Sequence, residues 1–220
     1  MGVIGILGEL LAPSRCAACD ARVRPNVLFC VPCAISVEPA DPSPAGDFAT
    51  FLYGGAIATA LLRLKYGGRA ELGARLGDAM AHRMTTTLRG RADLVVSVPL
   101  HPLRLAERKF DQAALLARRV AQGLAIPSSV RTLVRVRPTA VQASLDRSAR
   151  VRNVQDAFAV RLPRRVENQR VLLVDDVRTT GLTLDACTLA LRSAGAKEVL
   201  RLVLCRRELI DAREDQVLPH

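Results

Sequence analysis

Residues Val171–Thr183 read VLLVDDVRTTGLT. A short apolar strand delivers two adjacent acids, Asp175 and Asp176, to the carboxyl end of that strand, which is where open α/β sheets bind ligands. Adjacent carboxylates can accept hydrogen bonds from the two neighbouring hydroxyls of a ribose. This stretch therefore predicts a parallel sheet with a polar site at its carboxyl edge.

A turn of hydroxyl residues and glycine follows the acid pair. Thr179, Thr180 and Thr183 offer hydroxyls and N–H groups, and Gly181 permits a tight wrap of the chain. A predicted helix begins directly afterwards, so its N-terminal dipole favours an anion in the turn. The acid pair and the turn together predict a ribose 5-phosphate site. Two alternatives stay open, since the acids could hold a metal and the turn could be a plain N-cap. A Walker P-loop is excluded because its Gly-Lys-Ser/Thr sequence is missing.

The rest of the chain alternates between strand-like and helix-like stretches. Asp93–Val98 is a β-branched run that stops at Pro99, and Glu198–Leu204 is another apolar run, as expected of buried parallel strands. Alternation of this kind predicts an α/β fold with a parallel sheet flanked by helices. The other predicted elements are helices over Tyr53–Gly67, Ala70–Leu88, Phe110–Gly123 and Leu184–Ala194, strands over Ser129–Val136 and Arg170–Val174, and a long loop over Arg137–Val154.

Four of the six cysteines cluster near the N-terminus, and these are Cys16, Cys19, Cys30 and Cys33. Two Cys-x-x-Cys pairs at this spacing are typical of tetrahedral zinc sites, so the cluster favours structural Zn²⁺. An iron–sulfur centre and two disulfides are the alternatives. The other two cysteines, Cys187 and Cys205, lie in apolar stretches and are predicted to be buried thiols.

The net charge of +11 is unevenly distributed. Between His101 and Arg152, Lys and Arg far outnumber the acids, which favours polyanions such as pyrophosphate, nucleotides or nucleic acid. An Arg-rich surface without a ligand is the alternative. No apolar run approaches the ~20 residues of a membrane span. Met1–Leu11 is predicted to be a short helix packed on the body, because it lacks the basic start of a signal peptide and Glu9 interrupts it. A cytoplasmic location is expected.

Val171–Thr183 resembles the phosphoribosyl-pyrophosphate (PRPP) loop of type I phosphoribosyltransferases. Across nearly its whole length the chain resembles the ComF family of competence-associated proteins. Four further features carry this narrower resemblance: the paired Cys-x-x-Cys motifs, Leu61–Gly68 (LLRLKYGG), Val98–Gln112 (VPLHPLRLAERKFDQ) and Thr139–Phe158. The resemblance implies an N-terminal helix and a zinc-ribbon-like module of four cysteines over residues 1–38, a Pro-rich linker over 39–50, and a phosphoribosyltransferase-like domain over 51–220.

The resemblance also implies roles for individual residues. Asp175 and Asp176 would hold the ribose hydroxyls, and Mg²⁺ would be chelated mainly by ribose and pyrophosphate oxygens. Arg147 and Arg150, in the long loop, would stabilise the departing pyrophosphate during catalysis. The remaining PRPP-binding residues would be Val177 and Arg178 within the loop, Thr179, Thr180, Gly181 and Thr183 around the 5-phosphate, and Arg104, Arg108 and Lys109 around the pyrophosphate.

The sequence departs from the family pattern in two places. Lys109 and Asp111 replace the usual Gly and Asn, and Arg178 stands where a small or apolar residue is common. A glycine at position 109 would allow positive φ, so the backbone is expected to differ locally around Lys109.

Three functions are consistent with these observations. The first is an active phosphoribosyltransferase that displaces pyrophosphate from ribose C1 with an unidentified acceptor. The second is a non-catalytic module that senses PRPP or a nucleotide, or binds single-stranded DNA, alongside competence and recombination proteins. Whether the protein forms a homodimer is left open by the sequence. The family's association with natural transformation and DNA uptake implies this second role. The third is a purine-salvage or amidotransferase-like enzyme, without a glutaminase because position 2 is not Cys.

Overall fold

A computed structural model describes residues 14–41, 47–136 and 157–208 of the chain. The predicted helix Met1–Leu11 and the predicted loop Arg137–Val154, with Arg147 and Arg150, lie outside the described residues.

Helices and strands alternate along the described chain. The helices are α1 (Val31–Ile35), α2 (Gly55–Tyr66), α3 (Glu71–Leu88), α4 (Pro102–Arg108), α5 (Gln112–Leu124) and α6 (Leu182–Ser193). The strands are β1 (Asp47–Leu52), β2 (Leu94–Ser97), β3 (Ser128–Ser129), β4 (Leu133–Arg135), β5 (Phe158–Val160), β6 (Arg170–Arg178) and β7 (Glu198–Arg206).

The main sheet has five strands in the order β1-β7-β6-β2-β3. Every neighbouring pair in it is parallel, which confirms the predicted α/β fold. Strands β4 and β5 form a separate antiparallel pair. Because all carboxyl ends of the main sheet lie at one edge, the loops that follow β2 and β6 are brought close together.

Both faces of the sheet are covered, so its central strands are apolar on both sides. Leu172 and Val174 of β6 point towards a core shared with α2, α3 and α5. Val171 and Leu173 point towards the opposite core, which α6 and the β4–β5 pair complete. Each fully buried aliphatic side chain of this kind contributes roughly 1.5–3 kcal/mol to folding. Because both faces of β6 are buried, its sequence is a continuous apolar run, which makes it the clearest strand in the sequence.

Helices α3 and α5 pack with unusually close backbones. A Cβ at Gly77 would lie 2.7 Å from the Cβ of Arg119, and one at Gly123 would lie 2.6 Å from the Cβ of Ala81. These distances are shorter than carbon–carbon contact allows. The two helices are therefore locked against each other at positions where only glycine fits.

The described residues just before α2 include a strand that the linker prediction did not contain. Residues 47–50, predicted as part of the linker, begin β1 instead, because Phe48 and Ala49 are buried and β1 pairs with β7. The preceding chain also pairs with β1: Ala40 N donates to Thr50 O (3.2 Å) and Leu52 N donates to Glu38 O (2.8 Å).

The predicted strand Ser129–Val136 is two short strands. Strand β3 pairs with β2, whereas β4 pairs with β5. A turn separates them, and within it the Thr132 hydroxyl donates to the Ser129 hydroxyl (2.8 Å). The single-strand prediction was therefore wrong, because side-chain hydrogen bonding in the turn redirects the chain.

Candidate ligand-binding cleft and metal centre

The cleft opens where β6 extends beyond its neighbour β2. The ladder between them ends at the pair Ser97 and Val174, after which the chain turns at Pro99. Strand β6 continues to Arg178 with pairing to β7 alone. The sequence analysis placed the end of this strand at Val174, before the acid pair. In the structure the acid pair lies within the strand, in the part that extends beyond β2.

The cleft is lined by both signs of charge. It has a volume of about 160 Å³ and lies between the β6 overhang and the segment that contains α4 and the start of α5. Its polar lining residues are Lys65, Arg104, Arg108, Asp111, Gln112, Arg135, Asp175, Asp176 and Thr183. Carboxylates beside several cations suit a ligand that carries both hydroxyl and anionic groups.

The two acids of the pair have different surroundings. Burial raises the pKa of Asp175 well above its usual value, and the negative charge of Asp176 raises it further. The Asp175 Oδ1 atom accepts a hydrogen bond from the Asp176 N–H (2.8 Å). Asp176 is 5% exposed, and its Oδ1 atom accepts from the Lys65 ammonium at 3.0 Å.

Three buried polar atoms of this cleft have no hydrogen-bond partner within the described part of the chain. They are Asp176 Oδ2, Gln112 Oε1 and Arg135 Nε. A buried polar group without a partner costs about 1–3 kcal/mol, so folded proteins rarely keep such groups without a reason. All three atoms belong to residues that line the cleft, which favours a site built for a polar ligand.

The predicted anion-binding turn is present at the start of α6. Gly181 has φ of 85°, in the left-handed region that favours glycine, and is the N-cap of α6. Thr179 and Thr180 are exposed, and Thr183 lines the cleft. The side chain of Arg178 is directed away, because its guanidinium donates to Asp47 Oδ2 (2.7 Å).

The predicted cations at α4 divide into two groups. Arg104 and Arg108 line the cleft, and the Arg108 guanidinium lies 4.9 Å from the centre of the Tyr66 ring. Lys109 is exposed and is not among the lining residues. Its φ is 63°, so this position does require the left-handed backbone that a glycine would adopt more easily.

Asp111 replaces the family's usual Asn without loss of its structural role. It is the N-cap of α5 and accepts from Ala114 N (3.0 Å) and Leu100 N (3.4 Å). Burial raises the pKa of Asp111, although these N–H groups oppose the shift. An Asn oxygen could accept the same hydrogen bonds.

Sequence reasoning missed several lining residues, and one of them left a signal. Lys65 follows Leu61 by four positions and therefore lies on the apolar stripe of α2, together with Ile57 and Leu64. A lysine on a buried stripe needs a partner, and here it has Asp176. No comparable sequence pattern marked Arg135 or Gln112 as residues of the cleft.

The four clustered cysteines converge as predicted. The Sγ atoms of Cys16, Cys19, Cys30 and Cys33 all lie within 4.8 Å of one another, and those of Cys19 and Cys30 are 3.5 Å apart. Zinc with four Zn–S bonds of about 2.3 Å needs Sγ atoms roughly 3.8 Å apart. Burial raises the pKa of Cys16, but the N–H groups of Cys19 and Cys30 outweigh it and lower that pKa to about 6. The donor set fits a thiolate-bound metal ion.

Two arginines fasten the cysteine module to the body. Arg63 of α2 donates to Ala18 O (2.8 Å) and forms an ion pair with Asp20. Arg75 of α3 donates to Arg15 O and Val27 O, each at 2.6 Å. Cys16 is fully buried in the core that α2 and α3 share with the sheet. The module is therefore integrated into the fold.

Two further expectations concern burial and membranes. Cys187 and Cys205 are both fully buried, as predicted. Within the described ranges, no helix combines the length and the apolar character needed to cross a bilayer.

The chain is similar to known proteins in sequence and in fold. Residues 111–217 match the family profile described as "Phosphoribosyl transferase domain". The chain also resembles the solved structure of the PRPP amidotransferase from B. subtilis, with 21% identity and a TM-score of 0.46 over 65% of this chain and 30% of that one. The profile match places the chain among proteins with a phosphoribosyl transferase domain.

Two relatives narrow the class to a family. The DNA utilization protein YhgH of Salmonella typhimurium is 31% identical over 207 residues, which cover 87% of this chain and 89% of that protein. Competence protein F of Haemophilus influenzae is 34% identical over 108 residues, which cover 49% of this chain and 47% of that protein. The chain belongs to this ComF family of proteins with a phosphoribosyl transferase domain.

Proposed function

We propose that the cleft binds PRPP and that the protein is a ComF-type PRPP-binding protein with phosphoribosyltransferase chemistry. The observation that carries this proposal is the adjacent acid pair Asp175–Asp176 in a cleft that cationic side chains also line. The buried Asp176 Oδ2 atom has no hydrogen-bond partner within the described residues. A ribose hydroxyl is a neutral donor that would satisfy this oxygen. The positively charged lining residues then suit the phosphates of the same ligand.

Each part of the ligand has a proposed partner. The acid pair would hold the 2′ and 3′ hydroxyls, and the turn from Thr179 to Thr183 would hold the 5-phosphate against the N-terminus of α6. Arg104 and Arg108 would face the pyrophosphate, and Arg147 and Arg150, in the stretch predicted from the sequence to be a loop, would stabilise its charge as it leaves. Lys109 would act from the rim. Mg²⁺, when bound with PRPP, would neutralise part of the pyrophosphate charge.

The expected reaction breaks the bond between ribose C1 and pyrophosphate and forms a bond from C1 to the acceptor. The pyrophosphate leaves with the bonding electron pair, and the acceptor loses a proton to solvent or to the leaving group. The residues of the cleft would contribute by holding the ribose and stabilising negative charge on the departing oxygen. This chemistry needs no nucleophile from the protein.

Calorimetric titration with PRPP and Mg²⁺ tests the proposal. Wild-type protein should bind, and the double variant Asp175→Asn/Asp176→Asn should lose at least about 100-fold in affinity, because two charged acceptors are removed. The Lys197→Gln variant is a matched control, because Lys197 is exposed and precedes β7 at the opposite edge of the sheet. Absence of PRPP binding by the wild type would refute the proposal.

Single-stranded DNA is the second candidate ligand. Its support is the name of the Salmonella relative, a DNA utilization protein, together with the net charge of +11. Competence and recombination proteins would be partners in such a role, with the protein in the cytoplasm. Binding of a fluorescent oligonucleotide should weaken steeply with salt and survive Asp175→Asn, because phosphate contacts dominate such affinity. Salt-insensitive binding, or none, would remove this candidate.

The cysteine cluster is proposed to hold structural Zn²⁺, because four thiolates leave no open coordination position. Elemental analysis of purified protein should find about one zinc per chain. Cys30→Ser should reduce the zinc content well below that value and lower Tm, since metal binding contributes to folding. Cys187→Ala is the matched control, because Cys187 is buried elsewhere and should leave the zinc content unchanged. Iron in place of zinc would contradict this assignment.

A further inference from the structure

The Lys65 ammonium is a largely buried charge with unused hydrogen-bonding capacity. Its side chain is 17% exposed, and its Nζ atom lies 3.0 Å from Asp176 Oδ1. An ammonium has three N–H donors, and within the described ranges this contact with Asp176 is the hydrogen bond that Lys65 makes. A buried cation with spare donors is costly unless something else accepts from it.

The position of Lys65 identifies what could accept. Lys65 lines the same cleft as Arg104 and Arg108, and Arg108 packs against Tyr66, the residue that follows Lys65. The last turn of α2 and helix α4 therefore present their positive charges to one volume. Because the Lys65 ammonium and the Asp176 carboxylate lie side by side in this cleft, the space beside them suits a ligand with a hydroxyl and an anionic oxygen close together.

We propose that Lys65 is a pyrophosphate-binding residue, with its ammonium bridging Asp176 and an oxygen of the pyrophosphate group of PRPP. This inference rests on the proposed function. If Asp176 holds a ribose hydroxyl, the pyrophosphate on the C1 atom of that ribose comes within reach of the Lys65 ammonium, which is itself hydrogen-bonded to Asp176. Lys65 then supplies a fixed positive charge next to the reacting carbon, and helix α2 becomes part of the ligand site.

Helix α2 holds Lys65 in place from both ends. Two residues earlier, Arg63 is bonded to the cysteine module. At the start of the helix, Ala56 N donates to the hydroxyl of Ser36 (3.0 Å), which belongs to the same module. A short, anchored helix presents its ammonium with little conformational freedom, which favours binding of an anion at a defined point.

The test compares three probes on full-length protein by calorimetry in the presence of Mg²⁺: PRPP, inorganic pyrophosphate and ribose 5-phosphate. Lys65→Gln keeps an N–H donor but removes the charge, and Lys65→Arg keeps the charge. We expect Lys65→Gln to weaken PRPP and pyrophosphate by about tenfold or more, the loss typical of a charged hydrogen bond, and to change ribose 5-phosphate by less than about threefold. Lys65→Arg should recover part of the loss, and Lys197→Gln should bind as wild type.

The alternative outcomes are distinct. Equal losses for all three probes would show that Lys65 acts only through the position of Asp176, and unchanged affinities would show that it does not contact the ligand. Either result overturns the inference while PRPP binding by the wild type stands. If the wild type fails to bind PRPP, the proposed function fails first. A poorly folded variant would be recognised by reduced stoichiometry for all three probes together.

Discussion

The two edges of the parallel sheet both carry aspartates, but in opposite electrostatic environments. At the amino edge, Asp93 precedes β2 and accepts two hydrogen bonds from the Arg170 guanidinium, at 2.6 and 3.0 Å. These bonds lower the pKa of Asp93 to about 2. At the carboxyl edge, burial and the charge of Asp176 raise the pKa of Asp175, and Asp176 Oδ2 has no partner in the described chain.

The difference separates a carboxylate that stabilises the fold, Asp93, from a carboxylate pair that the rest of the fold must stabilise, Asp175 and Asp176. Asp93 is paired with a cation that the same sheet provides, so its ionised form favours the folded state. Asp175 lies beside a second carboxylate, that of Asp176, so the charge of Asp175 disfavours the folded state. Asp176 is paired with Lys65, a residue of the cleft. Proteins accept such local cost mainly where a ligand or a reaction requires it.

The largest expected effect is on PRPP affinity, when one aspartate at each edge of the sheet is replaced by asparagine. Asp176→Asn should weaken PRPP binding roughly 10- to 100-fold, because a hydrogen bond to a charged group contributes about 1.5–3 kcal/mol. Asp93→Asn should leave the affinity within about twofold of wild type, since it lies at the other end of β2. Calorimetric titration of the two variants under identical conditions measures both. Equal losses at the two edges would remove the functional distinction between them.

Thermal stability should show the reverse order. Asp93→Asn is expected to lower Tm by a few degrees, because it weakens the paired hydrogen bonds to Arg170. Asp175→Asn is expected to raise the Tm of ligand-free protein by a few degrees, because it removes a poorly solvated negative charge beside Asp176. Differential scanning calorimetry without PRPP checks both signs. The Asp93 effect should shrink in high salt, since this pair is partly exposed.

The smallest effects should appear in the pH dependence of stability. The folded pKa of Asp93 is below its usual value of 3.8, so its contribution is present above about pH 4 and is lost as pH falls towards 2. The folded pKa of Asp175 is raised, so its carboxyl favours folding below about pH 4 and progressively less as pH rises. The Tm advantage of Asp175→Asn should therefore be near zero at pH 4 and grow with pH. A constant advantage would mean that the pKa of Asp175 is not raised.

The sequence predicted those parts of the molecule that depend on a long local pattern. The buried strand β6, its acid pair, the glycine at position 181 and the clustered cysteines are each encoded within a few consecutive residues. The bounds of α2 and α3 also lie close to those expected from helical periodicity. The two single cysteines are buried, as their apolar neighbours indicated.

The features that were missed depend on contacts between distant residues. Strand β1 follows a Pro-rich stretch and is stabilised by pairing with β7, about 150 residues later in the chain. The overhang of β6 depends on where β2 ends, which no local pattern within β6 reveals. Arg135 reaches the cleft because β4 pairs with β5, so its position follows from a pairing between segments that are more than 20 residues apart in the chain.

The glycine contacts between α3 and α5 have a consequence for how a ligand is received. Because Gly77 and Gly123 leave no room for a side chain, α5 cannot slide along α3 without a collision. Asp111 and Gln112, which start α5, are therefore held at a fixed height beside the cleft. Amide hydrogens of α5 should accordingly be among the slowest to exchange with deuterium before any ligand is added. This side of the cleft would then be formed before the ligand binds.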